Sequence, residues 1–267
     1  FTLWVPEDAE TVRGLFVLLS GLQADGRSFV DDQKWQELAS KHNFGLVGCF
    51  FQSDPSAGLT PYMDAAGGAG QVLLDALKAL AEKSGHPEIE SVPLAFWGYS
   101  AGGQFACHFA CWKPSRVIAF AGSKGGVYVT EPDEKACPVP GLFIVGGHDE
   151  AWRQAGVRQY VRKSRKKGAL WCFAVEPGSG HEIGRSQDLV QPFLEAVVFM
   201  RLAVSNKGDG GGTPPELMPV SEKDTWLGDP DTFEIGKFSA EQKNPKKAVF
   251  LPDKETAVLW QKFCRGK

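Results

Sequence analysis

No stretch of this 267-residue chain stays apolar for long enough to cross a bilayer as a helix, so nothing in it reads as a membrane span. Charge of one sign is missing too. The 29 Lys and Arg stand against 32 Asp and Glu, a net charge of −3, and no global field draws the chain to nucleic acid or to an anionic membrane. Glycines 67, 68 and 70 lack the spacing of a dinucleotide-binding turn, and no Lys-Ser or Lys-Thr pair follows them as in a phosphate-binding loop. No nucleotide site is implied. Cysteine occurs six times but in no disulfide framework. Cys49 and Cys172 sit inside apolar runs, and Cys107 and Cys111 lie four apart on a helical pattern, as small buried hydrophobes do. The set Cys107, His108, Cys111 lacks a second ligand pair at a workable spacing, so no metal is expected. Histidine is scarce as well, five in all, and that scarcity narrows the chemistry.

What is present is one organising stretch, residues 91–112, SVPLAFWGYSAGGQFACHFACW. A β-prone apolar run at 92–97 leads into Gly98-Tyr99-Ser100-Ala101-Gly102-Gly103, and a helical pattern with Phe105, Ala106, Phe109 and Ala110 follows. A serine flanked by glycines two residues either side, between a buried strand and a helix, is the pattern of a nucleophile elbow. The sharp turn holds the serine in a strained backbone and lifts its hydroxyl clear of the sheet. The N–H of Ala101 then stands at a helix N-terminus, where partial positive charge favours an oxyanion.

Around that stretch, apolar strand runs alternate with amphipathic helices. Runs at 14–19, 44–51, 117–121, 141–145 and 169–175 are continuous rather than alternating, as buried strands of a parallel sheet are. Helical periodicity marks 33–42, through Trp35, Leu38, Ala39 and His42, then the region of Val72 to Leu80, a helix from Trp152 to Val161, and one from Leu189 to Val198. The other face of the Trp152 helix carries Arg158, Arg162, Lys163, Arg165, Lys166 and Lys167 and reads as a solvated face. This order predicts an α/β protein: a doubly wound, mostly parallel sheet with helices on both faces. The opening strand at 2–6 pairs with the run at 14–19 as an antiparallel edge. Residues 1–204 make the main domain. Residues 205–216 (SNKGDGGGTPPE) read as a linker, and the rest of 205–267, with Trp226, Phe233, Phe238, Phe250 and Trp260, as an extension that packs back and ends in a helix over 254–263.

A serine hydroxyl needs a base, and the base needs an orienting carboxylate. In doubly wound sheets working groups gather at the carboxyl ends of strands. Ser100 ends one strand, Asp149 follows the run at 141–145 and His181 follows the run at 169–175, in the order Ser, Asp, His. His42 and His108 lie within helices and His86 in a helix-to-strand turn, while His148 adjoins the acid and reads as a loop histidine. Asp149 is preferred over Glu150, and Glu182 points elsewhere if His181 faces Ser100. A second oxyanion donor is expected from the loop after 14–19, at the N–H of Leu22, with Gly21 or Gln23 as one-residue alternatives. Tyr62, Trp97, Tyr99 and Trp152 could supply aromatic subsites, Trp97 reading better as core. Gln23, Tyr99, Trp152 and Lys124 are the expected substrate contacts, Lys124 reading better as a surface lysine.

GYSAGG, GGHDE and GSGHE after successive strands resemble the α/β-hydrolase superfamily, and within it the compact, lidless esterases grouped with polyhydroxybutyrate depolymerases, feruloyl and acetylxylan esterases and dienelactone-hydrolase-like proteins. The likeness spans residues 2–203. It implies Ser100 as nucleophile, His181 as base and Asp149 as acid, with no cofactor. One departure is visible: Ser20-Gly21 stands where such esterases have His-Gly. The run from 117 to 141 is too short for an inserted helical lid. The reading is therefore a serine esterase for bulky or polymeric esters, plant cell-wall acetyl or feruloyl groups or polyesters. Its rivals are a peptidase of the same fold and a non-catalytic carbohydrate- or ligand-binding module. The start at Phe1, directly in a strand-like run, reads as a processed mature chain or a trimmed one, with an expectation of secreted or periplasmic location.

Overall fold

The structure is a computed structural model describing residues 1–52, 62–128, 131–202, 216–239 and 247–267. Its elements in chain order are β1 (Thr2–Trp4), β2 (Gly14–Leu19), α1 (Gln33–His42), β3 (Phe44–Cys49), α2 (Gly70–Ser84), β4 (Leu94–Tyr99), α3 (Ala101–Trp112), β5 (Val117–Ser123), β6 (Gly141–Gly146), α4 (Ala151–Lys166), β7 (Trp171–Glu176), α5 (Gln187–Arg201), β8 (Trp226–Gly228), β9 (Ile235–Lys237), β10 (Val249–Leu251) and α6 (Lys254–Cys264).

Seven strands form one sheet in the order β1-β3-β2-β4-β5-β6-β7. Strands β2 to β7 run parallel, and every residue of β2, β3, β5 and β6 is buried. That double-sided burial is why these strands are continuous apolar runs. Local chemistry sets the helix ends. The Asp32 side chain accepts the N–H of Trp35 at the start of α1, and Asn43 closes it in a left-handed conformation at φ 53°. Asp253 caps α6 in the same way through the N–H of Thr256.

The opening strand departs from expectation. β1 is an antiparallel edge, but its partner is β3 (Thr2 opposite Gly48), not the run at 14–19. β2 lies inside the sheet between β3 and β4, with both edges occupied by parallel partners, so of these two strands only β3 has a free edge for β1.

The chain winds from β2 outward to β3 and then back across to β4. The order therefore reverses between β2 and β4, and a crevice opens outside their carboxyl ends. The loop after β2 and the turn after β4 face each other there.

Beyond α5, β10, β8 and β9 make a second, antiparallel sheet that the scattered aromatics did not foretell. Strand β10 and helix α6 pack on β7, the far edge of the main sheet, and α6 also packs on α5. Trp260 of α6 is fully buried and donates its indole N–H to the carbonyl of Phe173 at 2.9 Å, satisfying an acceptor on that edge. The expected loop at 53–58 and nearly all of the expected linker, with the boundary at 204–205, lie outside the described residues.

Candidate active site

The turn from β4 into α3 places Ser100. Its backbone sits at φ 53°, ψ −118°, a region that residues with a Cβ rarely occupy. The strain is held by neighbours. The Ser100 N–H donates to the carbonyl of Ser123 at the end of β5 at 2.8 Å, and the Ser100 carbonyl accepts the N–H of Gly103 at 3.0 Å, which opens α3. Gly98 is required by close approach: a Cβ on it would collide with the backbone of Gly102, where α3 doubles back over the strand.

His181 arrives on the loop after β7. His181 Nε2 is 3.0 Å from Ser100 Oγ, and His181 Nδ1 is 3.0 Å from Asp149 Oδ2. A carboxylate only accepts, so Nδ1 carries the proton and Nε2 offers its lone pair to the Ser100 hydroxyl. The three residues predicted from strand ends are thus joined in one hydrogen-bonded line.

Asp149 is almost fully buried, and both of its carboxylate oxygens accept hydrogen bonds. Oδ2 receives His181, while Oδ1 receives the N–H of Glu150 at 2.7 Å and Nε of Arg153 at 3.1 Å. Burial pushes the carboxyl up. The hydrogen bonds from His181 and Glu150, and the charge of Arg153, outweigh it and hold Asp149 below its ordinary range. Arg153 was not singled out by the sequence; its place four residues after the acid on a helix is the signal that could have found it.

The rest of the site sorts the other expectations. Glu150 is exposed and contributes its backbone rather than its carboxylate. Glu182 is turned into its own loop, accepting from Ser179 Oγ and Gly180 N–H, both at 2.9 Å. His148 is an exposed loop residue. The Tyr99 hydroxyl donates to the His181 carbonyl at 2.6 Å, so it tethers the histidine loop. Gln23, at φ 56°, and Trp152, 55% accessible, stand on the surface, with the Arg153 guanidinium 4.6 Å from the Trp152 ring.

Leu22 lies in the loop after β2, and Ala101 opens α3 directly after Ser100. The loop after β2 abuts the elbow, since a Cβ on Gly21 would lie 3.6 Å from Ser100 Cβ. Among the described residues, neither the Leu22 nor the Ala101 N–H donates to any protein acceptor.

Three expectations are corrected. Lys124 is neither a substrate contact nor a surface lysine: it is fully buried, with Nζ 2.6 Å from Glu176 Oε2, so no substrate reaches it. Tyr62 is no open subsite, being 4% accessible with its hydroxyl donated to the Ser20 carbonyl. Arg165, read as part of a solvated face, is buried and donates to the carbonyls of Ala248 and Ala169 and to Glu222.

The sequence matches no known family model and no curated protein. Solved structures do match. Esterase PE8 superposes with a TM-score of 0.52 at 22% identity, covering 74% of this chain and 100% of its own. A ferulic acid esterase gives 0.55 at 14% identity, covering 74% of this chain and 91% of its own. A variant of SOBER1 from Arabidopsis thaliana gives 0.51 at 17% identity, over 70% and 100%. With the parallel sheet, its reversal between β2 and β4 and the elbow after β4, these likenesses show that the chain has the α/β-hydrolase fold.

Proposed function

We propose that the protein is a serine hydrolase of carboxylic esters, with Ser100, His181 and Asp149 as its catalytic triad. One observation carries the reading: the hydrogen-bonded line from Ser100 Oγ through both nitrogens of His181 to Asp149 Oδ2, built at the ends of three strands. The esterase neighbours support it through a shared fold.

In this reading Ser100 Oγ attacks the ester carbonyl as His181 Nε2 takes its proton. The resulting oxyanion lies between the N–H groups of Ala101 and Leu22, which have no other partner among the described residues. Collapse breaks the bond to the alcohol, which leaves with the proton held by His181. A water then repeats the sequence on the acyl-enzyme, releasing the acid and restoring Ser100. Asp149 keeps the imidazole in the tautomer that accepts at Nε2 and balances the charge it acquires.

The substrate class follows from the mouth of the site. The described part of the β5–β6 connection, residues 124–128 and 131–140, contains no helix that would close over Ser100. An open crevice with Tyr99, Trp152 and Gln23 at its rim suits a bulky or polymeric ester, feruloyl and acetyl esters of cell-wall polysaccharide or a polyester. Residues 205–267 act in this reading as an extension of the domain at 1–204.

The test is intact-mass spectrometry after treatment with a fluorophosphonate, beside Ser100→Ala. One adduct on the wild type and none on the variant is expected, followed by turnover in a panel of feruloyl, acetyl and polyester substrates. A folded wild type that takes no adduct overturns the assignment.

A further inference from the structure

The buried lysine that the sequence misplaced is part of a larger arrangement. Lys124 follows β5, and its Nζ donates to Glu176 Oε2 at 2.6 Å, with Ser186 Oγ at 3.5 Å. Glu176, the last residue of β7, uses the rest of its carboxylate on the far end of the histidine loop. Oε1 accepts the N–H of Arg185 at 2.6 Å, and Oε2 accepts Ser186 Oγ at 3.2 Å. The carboxylate therefore joins residue 176 to residues 185 and 186, closing the loop that carries His181 between them. Lys124 and Ser186 are wholly inaccessible, and Glu176 nearly so.

The same residues hold the other two members of the triad. The carbonyl of Ser123, one residue before Lys124, accepts the N–H of Ser100 at 2.8 Å. The N–H of Lys124 donates to Ile144 on β6 at 2.6 Å, and the carbonyl of Glu176 accepts the N–H of Gly147 at 2.8 Å, two residues before Asp149. Gly146 lies directly under the histidine loop, since a Cβ on it would collide with the carbonyls of Gly180 and Ser179. The loop thus rests on β6 and is fastened from below by a charge pair.

We propose that Lys124 and Glu176 form a positioning pair that fixes the His181 loop in register with Ser100 and Asp149. The proposal rests on the esterase reading above. Its physical basis is the cost of an unpaired buried charge. If the loop slides, Glu176 loses the Arg185 N–H and the Ser186 hydroxyl, and the pair lies open. Burial opposes the charge on Lys124, and among the described residues Glu176 is the one carboxylate bonded to it, so the charged pair has one low-energy position. Neither residue touches substrate.

The experiment compares wild type, Glu176→Gln, Lys124→Met, Ser186→Ala and the double variant Lys124→Met/Glu176→Met. The double variant removes both charges together and so leaves none unpaired. Each is measured for kcat and KM on 4-nitrophenyl acetate, for its rate of fluorophosphonate labelling, for the low-field proton resonance of His181 Nδ1–H, and for thermal unfolding. A shift of about 1 Å at a reacting group can cost about a hundredfold. Glu176→Gln is therefore expected to lose about ten- to a hundredfold in kcat, with KM changed less than about threefold and labelling slowed in parallel. The His181 resonance should move or broaden, and the double variant should stay slow even where it unfolds at the wild-type temperature. A stable double variant with wild-type kcat overturns the proposal and leaves the esterase reading intact. If the charge variants do not fold, Ser186→Ala with wild-type kcat and an unmoved resonance overturns it equally. Absence of labelling on the wild type would instead strike the esterase reading itself.

Discussion

Replacing Asp149 by Asn tests the site more sharply than deleting it, because both oxygens of that carboxylate accept hydrogen bonds. Oδ2 faces His181 Nδ1, and Oδ1 faces two further donors, the Glu150 N–H at 2.7 Å and Arg153 Nε at 3.1 Å. An asparagine has one acceptor oxygen and one NH2, so it must choose. With its NH2 toward Glu150 and Arg153, two donors would meet a donor, and each broken bond costs about 1–3 kcal/mol. With its NH2 toward His181, both bonds survive and the imidazole simply moves its proton to Nε2. The second orientation is favoured by about 2–6 kcal/mol. It is also the inactive one, since Nε2–H cannot take a proton from Ser100. At about 1.4 kcal/mol per factor of ten, the active orientation falls to about one part in 30 or fewer. The expected loss in kcat for Asp149→Asn is therefore at least about 30-fold, with a floor near the roughly 10⁴-fold that a wrong tautomer costs a triad. Stability at neutral pH should stay close to wild type, because the favoured orientation keeps the Glu150 and Arg153 bonds. Steady-state kinetics on 4-nitrophenyl acetate, with a urea titration for folding, measure both. A folded Asp149→Asn protein retaining more than about a tenth of wild-type kcat would refute the assignment of the acid.

Gly98→Ala should collide with Gly102 and open the elbow, with about 1–3 kcal/mol lost in urea titration and kcat falling with it; wild-type kinetics would show that the turn does not need the glycine. Trp260→Phe keeps the packing but leaves the Phe173 carbonyl on β7 without its donor, an expected loss of about 1–3 kcal/mol with kcat unchanged, whereas a silent substitution would mean that the edge is satisfied by other means. Burial holds both His42 and His108 below the ordinary 6.5, in His42 against the opposing pull of Glu195. Their contribution is complete above 6.5 and is lost as pH falls below it, because the unfolded chain takes up protons that the fold refuses, so the urea midpoint should drop between about pH 7 and 5 and drop less in His108→Asn.

The legible parts of the fold are those whose cause is local. The bounds of α1 follow from a period of apolar residues with Asp32 before it and Asn43 after it, all within one stretch of chain. The inner strands announce themselves through burial on both faces, and the elbow through a turn that tolerates few residue types. Ser100, Asp149 and His181 were singled out because strand ends and a shortage of histidines leave few combinations, and the structure brings the three within hydrogen-bonding distance. The partner of β1 was not legible, since a three-residue strand carries no period that distinguishes β2 from β3. The same holds for β8, β9 and β10, each of three residues. Their pairing rests on chain returning from elsewhere, and aromatics such as Trp226 and Phe250 say only that something will cover them.

Cations were the residues most often misplaced, and for one physical reason. A lysine or arginine reads as surface because burying its charge is costly, and what permits its burial is an acceptor that local sequence cannot show. Lys124 finds Glu176 at a separation of 52 residues, and Arg165 finds the Ala248 carbonyl at 83. Arg201 reaches Val117 at 84 with no carboxylate in contact among the described residues, and burial pushes its guanidinium down to about 10. Each of these cations joins parts of the fold that no strand or helix connects: the histidine loop to β5, the extension to α4, and α5 to the start of β5. The strands bring Ser100, His181 and Asp149 to one end of the sheet, but hydrogen bonds from buried cations tie the segments that carry them. A reading confined to periodicity and motif therefore finds those three residues and overlooks the bonds beneath them.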